Sequence, residues 1–321
     1  DFSLVYEALH EKNLWLKLCP HLTKEVPFYL PIYKESKWPL FFLRIGLFLY
    51  DLLSMFKNAP HQILSKKKTT AELPFIKSKG LTGCGIYYDG IVDDSKLALE
   101  CIYDGLNDKC HALNYHKAIK IEKEDGKYIV SYQNTFSKEI SKVKTKIVTF
   151  ATGPFTDLVM QELNIEWSPI VLPSKGVHLW LKTCALPIKH AMVLQTKDNR
   201  IIFVIPQKRG ILVGTTETKL TPTEKILDIK PSEEEIQYLI DVTNEYFPKA
   251  NIGSEHILSS FAAVRPLIKS HKSSSKTSRK HKIYQPQENM YVLAGGKYTT
   301  FRKMAQHLNK IIFKKLQVKF D

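Results

Sequence analysis

The fold is indicated first by one stretch near the end of the chain, Val292-Leu293-Ala294-Gly295-Gly296-Lys297-Tyr298-Thr299-Thr300-Phe301-Arg302. A short apolar run ends at two glycines and passes into a helix-like pattern, which brings backbone N–H groups at a helix N-terminus close to an anion. Lys297 adds a positive charge at the same point. On its own, the pattern is more often an ordinary strand-to-helix turn with a solvated lysine.

A second strand end changes that interpretation. Ala151-Thr152-Gly153-Pro154 also closes an apolar run, from Ile147 to Phe150. Two strands that end in glycine turns are typical of the crevice in which open α/β sheets bind nucleotides. The sequence therefore predicts an α/β fold with a nucleotide-binding edge.

Composition limits the classes of protein and partner. The 321 residues suffice for one large or two ordinary domains, and 44% hydrophobic with 25% charged residues is typical of a soluble globular protein. The net charge of +15 favours an anionic partner: a phosphorylated metabolite, acidic lipid headgroups or nucleic acid. Because no nucleic-acid-binding motif accompanies the lysines, we expect no nucleic acid. The five cysteines form no CxxC pair, which predicts no metal site, no disulfide framework and a cytoplasmic location.

Residues 39–56 form the most apolar segment of the chain. Arg44 and Asp51 interrupt it, so it does not have the ~20 apolar residues of a membrane span. The two charges lie seven residues apart and would share one face of a helix. We expect an amphipathic helix, either packed in the core, which is favoured, or seated on a membrane surface.

Periodicity predicts further elements along the chain. Helices are expected over 3–17, from Asp93 or Asp94 onward after an extended segment, and from Ser232 to about 247 behind a capping box. Residues 65–79 are lysine-rich and expected to be exposed. Strands are expected over 118–123, 128–133 and 146–150, with a hairpin turn at Asp125-Gly126. Residues 270–282 are expected to form a loop or flap.

From residue 170 onward the pattern is mostly β. Alternation over 177–181 places Val177, Leu179 and Leu181 on one face of a strand and His178 and Trp180 on the other. Residues 201–205 and 211–216 flank a turn-forming segment and are expected to form a hairpin.

Eight motifs carry a resemblance to a known family. In order they are Arg44 to Asp51, Tyr88-Asp89 with Val92-Asp93-Asp94, Ala151 to Pro154, Lys175 to His178, Phe203 to Pro206, Gly214 to Thr216, Val264 to Leu267 and Gly295 to Lys303. This series resembles the FAD-dependent, aerobic-type glycerol-3-phosphate dehydrogenases, within the D-amino-acid-oxidase-like flavoproteins. The resemblance covers nearly the whole chain.

The resemblance implies FAD as cofactor and oxidation of sn-glycerol 3-phosphate to dihydroxyacetone phosphate, with electrons passed to a membrane quinone. Peripheral contact of this cytoplasmic protein with the inner face of the cytoplasmic membrane through residues 39–56 is an open option, and so is a homodimer. The positive net charge suits a phosphate ester, and the apolar segment suits a lipid-soluble acceptor. A related substrate, another 2-hydroxy acid or an amino acid, also stays open.

The chain lacks the Gly-x-Gly-x-x-Gly unit with which the family binds the ADP half of FAD, and the helical C-terminal domain of larger relatives. We therefore expect an α+β fold with an incomplete FAD-binding Rossmann-like domain and a mainly antiparallel β substrate domain. Expected divisions are a helical, amphipathic insertion over 1–78, FAD-binding parts over 79–155 and 286–321, and a substrate domain over 156–285. The alternative function is a non-catalytic fragment that cannot hold FAD alone.

The family pattern also implies site residues. Arg265 and Arg279 would bind the substrate phosphate, because guanidinium groups contact phosphate in a bidentate manner. His178 and Lys297 would be catalytic, near the substrate oxygens. Cofactor contacts are implied for Thr152, Gly153, Gly295, Gly296, Lys297 and Thr299. The alternatives are a surface ion pair for Arg265 and a structural histidine beside Trp180 for His178.

Overall fold

A computed structural model describes residues 2–220, 226–270, 273–278 and 280–319. Over these residues the chain forms α-helices and β-strands in mixed order. The helices are α1 (Phe2–Leu18), α2 (Leu40–Leu53), α3 (Lys66–Glu72), α4 (Asp94–Gly105), α5 (Thr156–Glu162), α6 (Glu233–Tyr246) and α7 (Phe301–Leu316). The strands are β1 (Thr23–Tyr33), β2 (Gln62–Ser65), β3 (Leu81–Val92), β4 (His116–Glu124), β5 (Lys127–Asn134), β6 (Ile140–Thr145), β7 (Val148–Phe150), β8 (Val171–Leu181), β9 (Ala191–Gln195), β10 (Ile201–Gln207), β11 (Gly210–Gly214), β12 (Thr218–Lys219), β13 (Ile257–Ser270), β14 (Ser273–Ser278), β15 (Lys282–Gln287) and β16 (Met290–Ala294).

The chain divides into two compact units. The first unit comprises Asp1–Asp93 and Lys175–Val264, and the second comprises Asp94–Ser174 and Arg265–Asp321. The mixed helix-and-sheet fold class expected from the sequence is confirmed. The boundaries predicted at residues 78, 155 and 285 divide the chain by function, whereas the two compact units are defined by packing. The predicted functional domains therefore stay predictions.

Most of the strands belong to one large sheet. Its order is β14-β13-β8-β11-β10-β9-β1-β3-β2, with β12 paired to β8. The pairings β1–β3, β9–β10, β10–β11 and β8–β11 are antiparallel, while β1 and β9 run parallel. The alternation predicted over 177–181 is confirmed, because Val177, Leu179 and Leu181 are fully buried in the core of the first unit. The predicted hairpin is present as β10 and β11.

Strand β1 differs from the expected helical character of residues 1–78. It pairs with β3 along its whole length, from Thr23 opposite Val92 to Tyr33 opposite Leu81. Pro27 and Pro31 obscure this strand in the sequence, because proline cannot donate to a β-ladder and argues against an interior strand. The helices predicted around it are present as α1 and α2.

The lysine-rich residues 65–79 were expected to be exposed, and that prediction is wrong in part. Thr69, Leu73 and Ile76 are buried, with Leu73 and Ile76 in the core of the first unit. Lys66, Lys67 and Lys68, in the first turn of α3, are exposed. A charge-rich segment therefore still supplies apolar anchors to the core.

The second unit contains two three-stranded sheets, β4-β5-β6 and β15-β16-β7. Asp125 and Gly126 have positive φ at the β4–β5 turn, as the hairpin prediction requires. The strand predicted over 146–150 is present as β7, but it pairs with β16, and β6, which the sequence did not predict, lies beside β5. The lysine-rich sequence of β6 hides its alternation, whereas the continuous apolar run before Gly153 is typical of a parallel strand.

The segment 270–282 also differs from its expected loop. Residues 273–278 form β14, which pairs antiparallel with β13. The serine-rich sequence has no apolar alternation, so only its pairing with the neighbouring strand defines it as β-structure.

Helix α2 has one inner and one outer face. The inner face packs on β3, where a Cβ at Gly83 or Gly85 would overlap Leu40 or Leu43. The outer face is exposed and apolar; it consists of Phe41, Phe42, Ile45, Phe48, Leu49 and Leu52, with Trp38, Met55 and Phe56 beyond the helix ends. Arg44 is exposed whereas Asp51 is buried, so the two charges have different environments. In the described part of the chain, no helix is long and apolar enough to cross a membrane.

Candidate functional site

The two glycine turns lie at adjacent strand ends of the second unit. Strands β7 and β16 are parallel, with Val148 opposite Met290 and Phe150 opposite Val292. Gly153 and Gly295 each follow three residues after the Phe150–Val292 pair. The carboxyl ends of the strands therefore meet at one edge of the sheet, as the sequence predicted for a nucleotide-binding crevice.

Each strand end passes through a tight turn into a helix. Gly153, Gly295 and Gly296 have φ values of 55°, 74° and 88°, which L side chains rarely adopt. A 3₁₀ turn, Gly153–Phe155, leads into α5, and a second, Tyr298–Thr300, leads into α7. The N-terminal N–H groups of α7 thus follow the Gly-Gly-Lys stretch at this edge.

The glycines differ in what surrounds them. A Cβ at Gly153 would meet no atom within 4 Å, so the space beside this turn is open. A Cβ at Gly295 would lie 2.9 Å from the carbonyl oxygen of Lys280, and one at Gly296 would overlap the sulfur of Met304. Gly295 and Gly296 are therefore needed for packing, whereas Gly153 leaves room for a close ligand.

Polar groups fix the conformation of both turns. The hydroxyl oxygens of Thr152 and Thr156 lie 3.1 Å apart, and Thr156 Oγ1 donates to the carbonyl oxygen of Gly153 at 2.8 Å. Thr300 donates to the carbonyl oxygen of Lys297 from its amide at 3.0 Å and its hydroxyl at 3.1 Å. The side chains of Lys297 and Thr299 are half-buried beside these bonds.

Arg265 belongs to the second unit and lies half-buried on β13. The other predicted phosphate ligand, Arg279, lies outside the described residues. The second unit therefore contains Arg265, Lys297 and the two glycine turns, and the assignment of phosphate and cofactor contacts to them stays a prediction.

His178 belongs to the first unit, on β8 between β11 and β13. Its register partner on β11 is Gly214, and a Cβ at Gly214 would overlap the imidazole ring. Phe261 of β13 stacks on the ring, with centroids 5.0 Å apart and planes 9° apart. The imidazole is thus held between a glycine and an aromatic ring.

Sequence reasoning missed this arrangement around His178. Gly214 belongs to one of the eight motifs, and a glycine inside a strand signals a close approach of another group. Phe261 has no such signal in the sequence. Only the pairing order of β11, β8 and β13 brings the three residues together.

A buried ion pair connects β8 with α6. Lys175 Nζ lies 2.9 Å from Glu235 Oε2, and both side chains are almost fully buried. Glu235 also accepts from Thr216 Oγ1 at 3.3 Å and completes the capping box with Ser232. The motif residue Lys175 therefore has a structural partner within the first unit.

A second buried polar cluster lies beneath α2. Lys12 Nζ contacts Glu25 Oε1 at 3.0 Å and Asn58 Oδ1 at 2.7 Å. Burial raises the pKa of the Asp89 carboxyl, against the opposing effects of the Gly90 amide and the nearby Lys12 ammonium. Burial also raises the pKa of Tyr50, and its contact with Asp89 adds to this.

Asp51, the residue after Tyr50 in the same motif, accepts from the backbone amide of His61 at 3.1 Å and lies 2.7 Å from His61 Nδ1. These contacts join the end of α2 to the segment that follows it. The motif residues Tyr50, Asp51 and Asp89 thus anchor α2.

The chain is similar in sequence to curated dehydrogenases. It is 31% identical over 320 residues to the aerobic glycerol-3-phosphate dehydrogenase of Bacillus subtilis, which covers 99% of this chain and 57% of the relative. The corresponding protein of Staphylococcus aureus (strain MRSA252) is 32% identical over 326 residues, with 99% and 58% coverage. The chain therefore spans little more than half the length of these relatives.

The chain is also similar to solved structures of related proteins. The glycerol-3-phosphate dehydrogenase of Bacillus halodurans, solved in complex with FAD, has a TM-score of 0.81 at 25% identity and covers 100% of this chain and 57% of its own. The FAD-bound L-α-glycerophosphate oxidase of Mycoplasma pneumoniae, at 16% identity and a TM-score of 0.69, shares the fold over 94% of this chain and 78% of its own. Residues 2–301 match the DAO family, described as FAD dependent oxidoreductase. The chain belongs to this FAD-dependent oxidoreductase family.

Proposed function

We propose that this chain takes part in the FAD-dependent oxidation of sn-glycerol 3-phosphate to dihydroxyacetone phosphate, with electrons passed to a membrane quinone. The observation that carries the proposal is the pair of adjacent parallel strands that end at Gly153 and Gly295, in a chain whose relatives are named glycerol-3-phosphate dehydrogenases. The net charge of +15 is consistent with a phosphorylated substrate.

The residues at the glycine turns are suited to FAD. The open space at Gly153 admits a ligand close to the backbone, and Lys297 with Thr299 offers an ammonium and a hydroxyl for ring or ribityl oxygens. Gly295 and Gly296 shape the turn that precedes the N-terminus of α7. When bound, FAD supplies the hydride acceptor for the substrate carbon.

The substrate roles belong to three side chains. Arg265 binds the phosphate, because its planar fork of donors matches phosphate oxygens. His178 takes the proton of the C2 hydroxyl through an imidazole nitrogen that acts as the general base. Lys297 donates to a substrate oxygen and stabilises negative charge that develops there.

Contact with a membrane surface is assigned to α2. Its outer face exposes a row of aromatic and aliphatic side chains, and Phe41 is 69% exposed. Lys37, Arg44 and Lys57 are exposed beside this face, which suits anionic headgroups around an apolar patch. Peripheral binding at the inner face of the cytoplasmic membrane would bring the chain to its lipid-soluble acceptor.

Anaerobic flavin reduction tests the proposal. The chain is saturated with FAD, and sn-glycerol 3-phosphate is added while the absorbance of the oxidised flavin is followed. We expect bleaching by the phosphate ester and none by glycerol, a 2-hydroxy acid or an amino acid at the same concentration. Preferential reduction by an unphosphorylated substrate would reject the proposed substrate, and no reduction by any of them would reject the activity.

A further inference from the structure

We infer that Phe261 and Gly214 are positioning residues that hold the His178 imidazole in one plane for proton transfer from the substrate hydroxyl. The inference rests on the role proposed above for His178 and adds the two residues that set its orientation. All three belong to the first unit.

The first step is the contact on one side of the ring. His178 and Phe261 stack almost in parallel, with centroids 5.0 Å apart and an angle of 9°. An aromatic pair of this kind prefers a limited set of geometries and resists rotation of either ring. Phe261 is 41% exposed, so its burial alone does not explain an aromatic side chain here.

The second step is the other side of the ring. A Cβ at Gly214 would overlap His178 Cδ2 and would lie 2.7 Å from Cγ and 2.9 Å from Nε2. The ring therefore occupies the space that any side chain at position 214 would fill. With Phe261 stacked on the ring from the neighbouring strand, the imidazole is packed between an aromatic ring and the backbone at Gly214.

The third step is the backbone that carries these groups. Val177 donates its amide to Thr216 Oγ1 at 3.0 Å, and Thr216 Oγ1 donates to Glu235 Oε1 at 3.3 Å. Glu235 also pairs with the buried Lys175 on the same strand as His178. Both flanks of the Gly214–His178 pair are thus tied to the N-terminus of α6.

A general base needs this kind of restraint, because the nitrogen must stay within hydrogen-bond reach of the proton that it removes. A freely rotating imidazole would spend part of its time in unproductive orientations. The cost of losing the restraint would appear mainly in the chemical step rather than in substrate binding.

The structural part of the inference is tested by NMR of ring-labelled histidine in the chain without substrate, using H178Q to identify the resonance among the 11 histidines. The ring current of Phe261 shifts the His178 ring protons, so F261L should move that resonance and F261Y should keep it near its original position. F136L is the matched control, since Phe136 is also an exposed aromatic that contacts another ring, Tyr115, at 4.8 Å. An unmoved resonance in F261L would overturn the inference.

The functional part is tested by steady-state kinetics of the FAD-loaded chain. We expect F261L to lower kcat about two- to tenfold, the effect of losing one aromatic pair, with little change in KM. F261Y should restore kcat, and F136L should leave it unchanged. An unchanged kcat in F261L, while H178Q is impaired, would overturn the positioning role.

Failure of the proposed function gives a different pattern. The wild-type chain would then leave its flavin oxidised in the presence of sn-glycerol 3-phosphate, while F261L still moved the His178 resonance. That result would support the restraint on the ring and reject the substrate.

Discussion

At the scale of single residues, Arg265 is the sharpest test of the phosphate assignment. R265A leaves the phosphate without its fork of donors and should cost about 1.5–3 kcal/mol, the range for hydrogen bonds to charged groups. We expect kcat/KM for sn-glycerol 3-phosphate to fall about 10- to 150-fold, mainly through KM. Any residual rate with glycerol should be unaffected.

The control for this substitution is R209A, which removes an exposed arginine from the β10–β11 turn. Equal losses in the two variants would show an effect of total charge rather than of a specific phosphate contact.

Asp89 predicts a pH dependence of stability. Burial raises the pKa of its carboxyl above the ordinary 3.8, so the folded state retains a proton that the unfolded state loses. The contribution of this group to the free energy of unfolding therefore falls as the pH rises from about 4 through the raised value, because the unfolded chain binds fewer protons there. D89N removes this component, and the decline in stability over that range should become shallower.

Urea unfolding at a series of pH values measures this effect. D104N, at an exposed position on α4, is the matched control and should keep the wild-type slope. Identical slopes for wild type and D89N would contradict a buried, protonated carboxyl at this site.

At the scale of elements, alanine substitutions at two glycines, one packed against α2 and one within it, should change the free energy of unfolding in opposite directions. A Cβ at Gly83 would lie 2.5 Å from the carbonyl oxygen of Leu64 and 2.7 Å from Leu40 Cδ2, so G83A forces the backbone or α2 to shift. We expect a loss of about 1–3 kcal/mol in the free energy of unfolding.

Gly46 is the counterpart on α2 itself, because a Cβ there meets no atom within 4 Å. G46A should stabilise the chain by up to about 1 kcal/mol, since alanine favours a helix over glycine. Urea denaturation of both variants tests the pair, and a destabilised G46A would mean that its surface is not open.

Membrane contact is also an element-scale prediction. Phe41 and Phe48 lie on the exposed face of α2. Replacing both by glutamate places charge on that face and should abolish sedimentation with vesicles of anionic phospholipid. F136E, on an exposed aromatic of the second unit, should bind like the wild type, and loss of binding in both proteins would point to a general charge effect.

At the scale of the whole molecule, the net charge of +15 predicts that vesicle binding depends on salt concentration. Attraction to anionic headgroups is screened by salt, so binding should weaken between low and physiological ionic strength. The apolar contribution of α2 should persist, because it does not depend on charge. If vesicle binding changes neither with salt nor with the α2 substitutions, the outer face of α2 is not the membrane-binding surface.

The sequence by itself determined the elements whose signals are local. The glycine turns at Gly153 and Gly295, the capping box at Ser232 and Glu235, and the alternation around His178 depend on residues close together in the chain. Their physical causes are backbone conformation, helix-end hydrogen bonding and the two-residue period of a strand. The family motifs are also short stretches of sequence, so they indicated the glycine-rich edge of the sheet without knowledge of the tertiary structure.

Only the tertiary structure decided which strands became neighbours. It paired β7 with β16, placed the proline-containing β1 inside the large sheet and left one face of α2 exposed. It also brought Phe261 and Gly214 to His178. These contacts join residues far apart in the chain, and their partners are selected by burial and by strand pairing, which no local pattern records.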